Sequence, residues 1–158
     1  MSDDGKTRKE LEKMMNAWKE MGEQIPLMRE AVRKGLKKDL ETFEHDDAHI
    51  QQELLFLNDA LNFLQKKWTM DLIYIIRIKG DPYFNDIRRA LPNLNSRTLT
   101  TRLKEFDEHH IVTRTVTNTQ PIRVSYKLTD LGNGIYELLI PLLMFFAGAK
   151  HELAQKEN

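Results

Sequence analysis

Apolar positions change their spacing along the chain, and those changes divide it into elements. Between about Thr7 and Met21, the residues Leu11, Met14, Met15, Trp18 and Met21 recur at intervals that line one helical face. Gly22 then stands where a C-terminal cap is wanted and Pro26 where a new helix can open, which predicts a break between them. A second helix follows from about Pro26 to Phe43, with Met28, Val32, Leu36, Leu40 and Phe43 inward and Gly35 weakening its middle. His45-Asp46-Asp47 interrupts the pattern. In the third helix Ile50, Leu54, Leu57, Leu61 and Leu64 alternate steps of four and three, a heptad seam. Leu55, Phe56 and Phe63 widen this surface, which predicts burial on more than one side.

From Trp68 the elements shorten. KKWTMDLIYIIRIKG reads as a helix ending near Gly80, with Trp68, Leu72, Ile73 and Ile76 inside, followed by an Asp81-Pro82 turn and a brief strand at Tyr83-Phe84. NDIRRAL makes a two-turn helix stopped by Pro92, and Asn95 is a good N-cap for a helix to about His109. IVTRTVTN and IRVSYKLT alternate as two strands joined through Thr119-Gln120-Pro121. Thr129 or Asp130 caps a last helix, Leu131 to about Leu153, apolar nearly all round. This order is that of a winged helix-turn-helix, in which two small helices hold a third against the DNA major groove and a hairpin flanks it. The expected fold is mainly α with a small β-hairpin wing. Residues 1–65 form a helical extension, and residues 66–158 the DNA-binding domain with a C-terminal dimerisation helix. The striped helices of the extension suit either a bundle of their own or a dimer interface.

Composition narrows the chemistry. Hydrophobic residues at 41% and charged ones at 30% of 158 exclude global disorder. Cysteine is absent, which excludes disulfides, thiolate nucleophiles and Cys-based metal sites within this sequence. No apolar run reaches membrane-spanning length and MSDDGKTRKE lacks the apolar core of a signal peptide, so a cytoplasmic, nucleoid-associated protein is expected. Net charge is zero, yet residues 66–127 hold twelve Lys and Arg against six Asp and Glu. A basic middle between acidic flanks fits a surface that meets a polyanion.

On the Asn95–His109 helix, Leu99, Leu103 and Phe106 face the core at helical spacing, so Arg97, Thr100, Thr101 and Lys104 share the opposite arc, with Ser96 in the first turn. Acids appear only in the last turn, as Glu105, Asp107 and Glu108. Arginine can bind guanine through two hydrogen bonds, and threonine can donate to phosphate or touch a thymine methyl. In the hairpin, Arg114 and Thr117 precede an acid-free tip, Asn118-Thr119-Gln120-Pro121, and Arg123 follows it, a composition able to track a phosphate backbone.

Other chemistry has thinner support. His45, His49 and Glu53 recur every four residues and have zinc-ligand chemistry, and HDDAH approaches a metalloprotease spacing with Asp46 for glutamate, but without a further ligand; no metal or other cofactor is assigned. No Gly-rich phosphate loop or nucleophile elbow is present, so no enzymatic activity is expected. Met14, Met15, Met21 and Met28 suit core filling or an adaptable groove.

Several pieces in order carry a family resemblance: Lys67-Trp68, Gly80, Phe84, IRRALPNLNSRTLTTRLKEF, the IV opening the hairpin, PIRVSY across its tip and LTDLG opening the last helix. From about Lys67 to Phe146 the chain resembles the HxlR-type winged-helix transcriptional regulators, relatives of the MarR group. The resemblance implies a dimeric regulator, often a repressor, joined through terminal helices. It also implies recognition-helix roles for Arg97, Thr100, Arg102 and Lys104 and wing roles for Pro121 and Arg123, although Arg102 lies toward the buried edge of the helical wheel. Asn95 replaces the usual cap serine, Tyr83 a basic residue, His110 a glycine and Ser125 a glutamate. Some members sense oxidants through a cysteine, which this sequence lacks.

The candidate DNA contacts are thus Asn95, Ser96, Arg97, Thr98, Thr100, Thr101, Arg102 and Lys104 on the recognition helix. On the wing they are Arg114, Thr117, Asn118, Thr119, Gln120 and Arg123. The expected partners are double-stranded DNA and a second copy of the chain, met through the N-terminal helices and through Leu138, Leu142, Phe145 and Phe146. A winged-helix protein-interaction module within a transcription or chromatin assembly is the alternative, and a non-specific architectural DNA-binding protein is another.

Overall fold

A computed structural model describes residues 3–42, 46–118 and 120–156, and its elements follow in the order α1 (Asp3–Thr42), α2 (Asp47–Leu64), α3 (Thr69–Lys79), α4 (Phe84–Ala90), α5 (Ser96–Glu108), β1 (Val112–Thr117), β2 (Arg123–Leu128) and α6 (Asp130–Lys156). Phe43, His45, Thr119 and the side chains of Leu11, Met14, Met15 and Trp18 lie outside the described residues. The chain divides into two compact units, Ile50–Glu137 and the pair Met1–His49 with Leu138–Asn158.

The core belongs to Ile50–Glu137. Leu72, Ile73 and Ile76 of α3, Ile87 of α4, Leu99, Leu103 and Phe106 of α5, and Val112, Tyr126 and Leu128 of the hairpin are all buried. Full burial of each large aliphatic side chain contributes about 1.5–3 kcal/mol, so this cluster fixes how the small elements sit together. Leu94, in the turn between α4 and α5, and Ile111, between α5 and β1, are buried as well. Both connections are therefore pinned to the core.

β1 and β2 pair antiparallel, from Val112 opposite Leu128 to Thr117 opposite Arg123. The predicted strand at Tyr83-Phe84 shrinks to one bridge between Tyr83 and Ser125, because Phe84 already begins α4. Asp86 caps the start of that helix, its carboxylate accepting from Tyr83 N–H at 3.1 Å and from the Arg89 guanidinium.

Two junctions set the geometry on either side of α5. Its C-terminus closes as a Schellman motif, with Ile111 N–H donating to the Phe106 carbonyl (2.8 Å) and His110 N–H to that of Asp107 (3.0 Å). His110 takes the left-handed conformation (φ 55°) that glycine usually fills at this position. Thr129 then ties the start of α6 to the same corner. Its N–H donates to the Ile111 carbonyl (3.1 Å), its hydroxyl to the His110 carbonyl (2.6 Å), and its oxygen accepts from Gly132 N–H (3.1 Å). Thr129 is thus the cap of α6. Gly132 lies so close to this corner that a β-carbon there would come 2.3 Å from the Ile111 carbonyl oxygen.

Two expectations are corrected. Residues 3–42 form one helix, not two separated at Gly22 and Pro26. Met21, Ile25, Met28 and Val32 keep helical spacing across the proline, so its apolar stripe stays in phase. The proline removes one backbone donor and leans toward the carbonyl of residue 22, a glycine, without ending the helix. Secondly, the apolar surface of α2 is not buried on more than one side. No residue of α2 is buried, and Leu55 and Phe56 are 72% and 77% exposed. The Asp46 side chain caps this helix through His49 N–H at 2.8 Å.

The other unit consists of α1 and the distal part of α6, and none of its residues with a described side chain is buried. Met28, Val32 and Leu36 of α1 and Leu138, Leu142 and Phe145 of α6 line an open groove of about 550 Å³. Arg29 stands 4.7 Å over the Phe145 ring. Among the described residues no helix is long and apolar enough to cross a membrane.

Candidate nucleic-acid interface

α5 is built to expose one polar face. Pro92 follows the end of α4, and the Asn95 side chain accepts Thr98 N–H at 2.8 Å, so the cap expected there is present. With Leu99, Leu103 and Phe106 anchored in the core, Ser96, Arg97, Thr100, Thr101 and Lys104 are all solvent-exposed, and Thr98 is half-buried at the edge. The first turn of this helix contains no acid. Cationic and hydroxyl groups therefore gather toward its positive end, where the first-turn amides favour an anion.

The threonine hydroxyls are engaged. Thr100 donates to the Ser96 carbonyl (2.9 Å) and Thr101 to that of Arg97 (3.1 Å), the back-bonding that threonine favours in a helix. Each donor is thereby spent on backbone, leaving the hydroxyl oxygen as an acceptor and the methyl as an apolar contact. Lys104 pairs with Glu108 at 3.4 Å, both ends exposed, a bond of small worth that a phosphate can displace.

Arg102 departs from the expected set. It is 5% exposed, and its guanidinium bonds the Thr69 hydroxyl and the Glu105 carboxylate while lying 6.0 Å from the Phe63 ring centroid and 5.7 Å from that of Phe106. A side chain so enclosed cannot reach a groove; it joins α5 to the start of α3. Thr69 completes the joint by donating to the Lys66 carbonyl at 2.7 Å.

On the wing, Arg114, Asn118, Gln120 and Arg123 are exposed, whereas Thr117 is half-buried and donates to the Arg123 carbonyl at 3.1 Å. Arg123 lies 5.5 Å over the Tyr83 ring. The ring that replaces a basic residue thus positions a cation from the neighbouring strand. Between α4 and the wing, Tyr83, Arg88, Arg89 and Arg123 border an open groove of about 750 Å³. Arg88 and Arg89, which the sequence reading misses, come beside the wing through the Tyr83–Ser125 bridge and the Tyr126 N–H bond to the Pro82 carbonyl (3.0 Å). The adjacent arginines in IRRA were the available signal. Arg89 donates to Asp86, and this bond, followed by that from the Tyr83 backbone, holds the Asp86 carboxyl below its ordinary range.

Of His45, His49 and Glu53, the first lies outside the described residues, and among the described residues no three potential ligands are grouped to hold a metal.

Known proteins match this region. A family described as HxlR-like helix-turn-helix matches residues 63–152. YvaP of Bacillus subtilis, named as an uncharacterized HTH-type transcriptional regulator, is 36% identical over 80 residues, covering 51% of this chain and 73% of YvaP. Among solved structures, a MarR-family transcriptional regulator from Enterococcus faecalis V583 is similar with a TM-score of 0.61 and 27% identity, over 72% of this chain and 98% of that one. The redox regulator HypR in its reduced form is similar with a TM-score of 0.52 and 30% identity, over 65% of this chain and 98% of HypR.

Proposed function

Since the chain belongs to the HxlR-like helix-turn-helix family, we propose that it is a homodimeric, sequence-specific DNA-binding transcriptional regulator and not an enzyme. The observation that carries this reading is the exposed face of α5, where Arg97, Thr100, Thr101 and Lys104 stand on an N-capped helix ahead of a cationic wing. α5 enters the major groove by its N-terminal half. Arg97 reads a base edge, the Thr100 and Thr101 methyls meet thymine, and Lys104 exchanges Glu108 for a phosphate. Asn95, Ser96 and Thr98 serve the backbone at the helix start. Arg114, Asn118, Gln120 and Arg123 follow the adjacent strand.

Dimerisation is supported by the apolar faces that one chain leaves open. Leu138, Leu142 and Phe146 are each at least 60% exposed, and Phe145 lines the groove with α1. Pairing two copies buries these faces and sets the recognition helices for half-sites about one helical turn, roughly 34–36 Å, apart. Such a regulator acts in the cytoplasm, at the nucleoid. Control by thiol chemistry within this sequence is excluded by the lack of cysteine.

Titrating labelled duplexes with Arg97→Ala and Arg123→Ala tests the division of labour. Arg97→Ala is expected to cost roughly 1–3 kcal/mol on the preferred site and to relax one base preference. Arg123→Ala is expected to weaken all sequences alike and to lower the salt slope by about 1. Equal losses from both substitutions on preferred and scrambled duplexes contradict the assignment.

A further inference from the structure

An open cavity of about 520 Å³ lies on the α3 side of α5, lined in part by three cationic side chains, those of Lys66, Lys67 and Arg102. The only carboxylate among its lining residues is that of Glu105, which takes both Lys66 (3.5 Å) and the Arg102 guanidinium. Three cations against one acid leave a net positive site. Its rim adds the side-chain amides of Asn93 and Asn95 and the Thr98 hydroxyl. The cavity therefore adjoins the N-terminus of a thirteen-residue helix, whose first amides favour an anion.

Two features distinguish this site from a scatter of surface lysines. Arg102 is 95% buried, and its Nε has no hydrogen-bond partner among the described residues although the rest of its guanidinium is bonded. Its charge is thus built into the wall of the cavity and only partly answered by Glu105. Lys67 is held, with its ammonium 5.0 Å from the Trp68 ring centroid, at the point where Trp68 turns left-handed (φ 73°) to start α3. The turn between α2 and α3 thereby brings two consecutive lysines beside the N-terminal half of the recognition helix, in a cavity that no wing residue lines.

We infer that this cavity binds a phosphate group, with Lys67 as its principal exposed contact and Asn93, Asn95 and Thr98 as hydrogen-bonding neighbours. Resting on the DNA-binding reading, the inference gives the phosphate a source in the duplex backbone beside the α5 N-terminus. The wing and this cavity then grip the two backbones that flank the groove α5 reads. Arg102 acts indirectly, as a fixed buried charge that raises the site's affinity for an anion.

The test is the salt dependence of duplex binding by the full chain, compared among the unsubstituted protein, Lys67→Gln and Lys67→Arg. Lys67 is exposed, so both variants are expected to fold. Lys67→Gln is expected to lower the slope of log K against log salt by about 1 and to weaken binding about fivefold near ~0.15 M salt, equally on preferred and scrambled duplexes. Lys67→Arg is expected to restore both. Inorganic phosphate at matched ionic strength separates the sources. Competition that Lys67→Gln loses supports a site that also takes free phosphate, and no competition, with the slope lowered, supports the duplex backbone alone. An unchanged slope in Lys67→Gln, while the unsubstituted protein binds with normal salt sensitivity, overturns the inference. Absence of salt-dependent binding by the unsubstituted protein overturns the DNA-binding reading instead.

Discussion

Replacing Gly132 by alanine sets two physical effects against each other. Gly132 lies in the first turns of α6, and helix propensity alone makes glycine to alanine favourable by about 1 kcal/mol. The structure gives the opposite sign. The added methyl would lie 2.3 Å from the Ile111 carbonyl oxygen and 3.1 Å from a Leu128 methyl, where ordinary contact begins at 3.4 Å, so the helix must retreat by about 1 Å. That retreat stretches the bonds from Thr129 to the Ile111 and His110 carbonyls. Overpacking of this kind costs roughly 1–3 kcal/mol, and a strained hydrogen bond adds about 1 kcal/mol. After the propensity gain, the net loss is roughly 1–3 kcal/mol, a fall in Tm of about 2–12 °C for a chain of this size. Gly134, two residues on, is the matched control: nothing lies within 4 Å of its would-be β-carbon, so Gly134→Ala is expected to stabilise by up to about 1 kcal/mol. Urea unfolding followed by tryptophan fluorescence and circular dichroism, at one fixed protein concentration, measures both. Gly132→Ala behaving like Gly134→Ala would refute the close approach of α6 to the α5–β1 corner.

Four further outcomes are expected. His110→Gly relieves a left-handed residue in the Schellman turn and raises stability by about 0.5–1 kcal/mol in the same urea assay; a loss contradicts that geometry. Arg102→Ala removes the bonds to Glu105 and Thr69 that join α5 to α3 and lowers stability by about 1–3 kcal/mol, while binding by the folded fraction keeps its base preference in anisotropy titrations. Leu142→Asp puts a charge on the open apolar face of α6 and converts dimer to monomer in sedimentation velocity at micromolar concentration; an unchanged dimer moves the interface elsewhere. The Asp86 carboxyl titrates below the ordinary carboxylate range by NMR. Its capping contribution is complete above the unfolded pKa and is lost as pH falls through the lowered folded value, so α4 loosens only in acid.

Where one element settles its own conformation, the residues were readable in advance. Asn95, the apolar triplet Leu99, Leu103 and Phe106, and the existence of the two paired strands depend on local spacing, and each lies as expected; the burial expected to alternate does so only toward the end of β2, since in β1 only Val112 is buried. The helical wheel also puts Arg102 near the buried edge, and there it lies, 5% exposed. Proline and glycine at 26 and 22 misled, because a break depends on whether the apolar stripe continues in phase beyond them as well as on the residues themselves. The exposed faces of α1, α2 and α6 show a different limit: an apolar stripe specifies that something covers it but not whether that partner is intramolecular. Arg88, Arg89 and the Lys66-Lys67 cavity depend on contacts between separate elements, which periodicity does not encode.

Selection of bound fragments from a random duplex pool, with the full chain at two salt concentrations, addresses the central claim most directly. Two inverted half-sites about 10–10.5 base pairs apart, enriched at both salts and losing one base preference with Arg97→Ala, are the expected product. Recovery of DNA without sequence enrichment, or of a motif that Arg97→Ala leaves unchanged, would contradict α5 as the reading element.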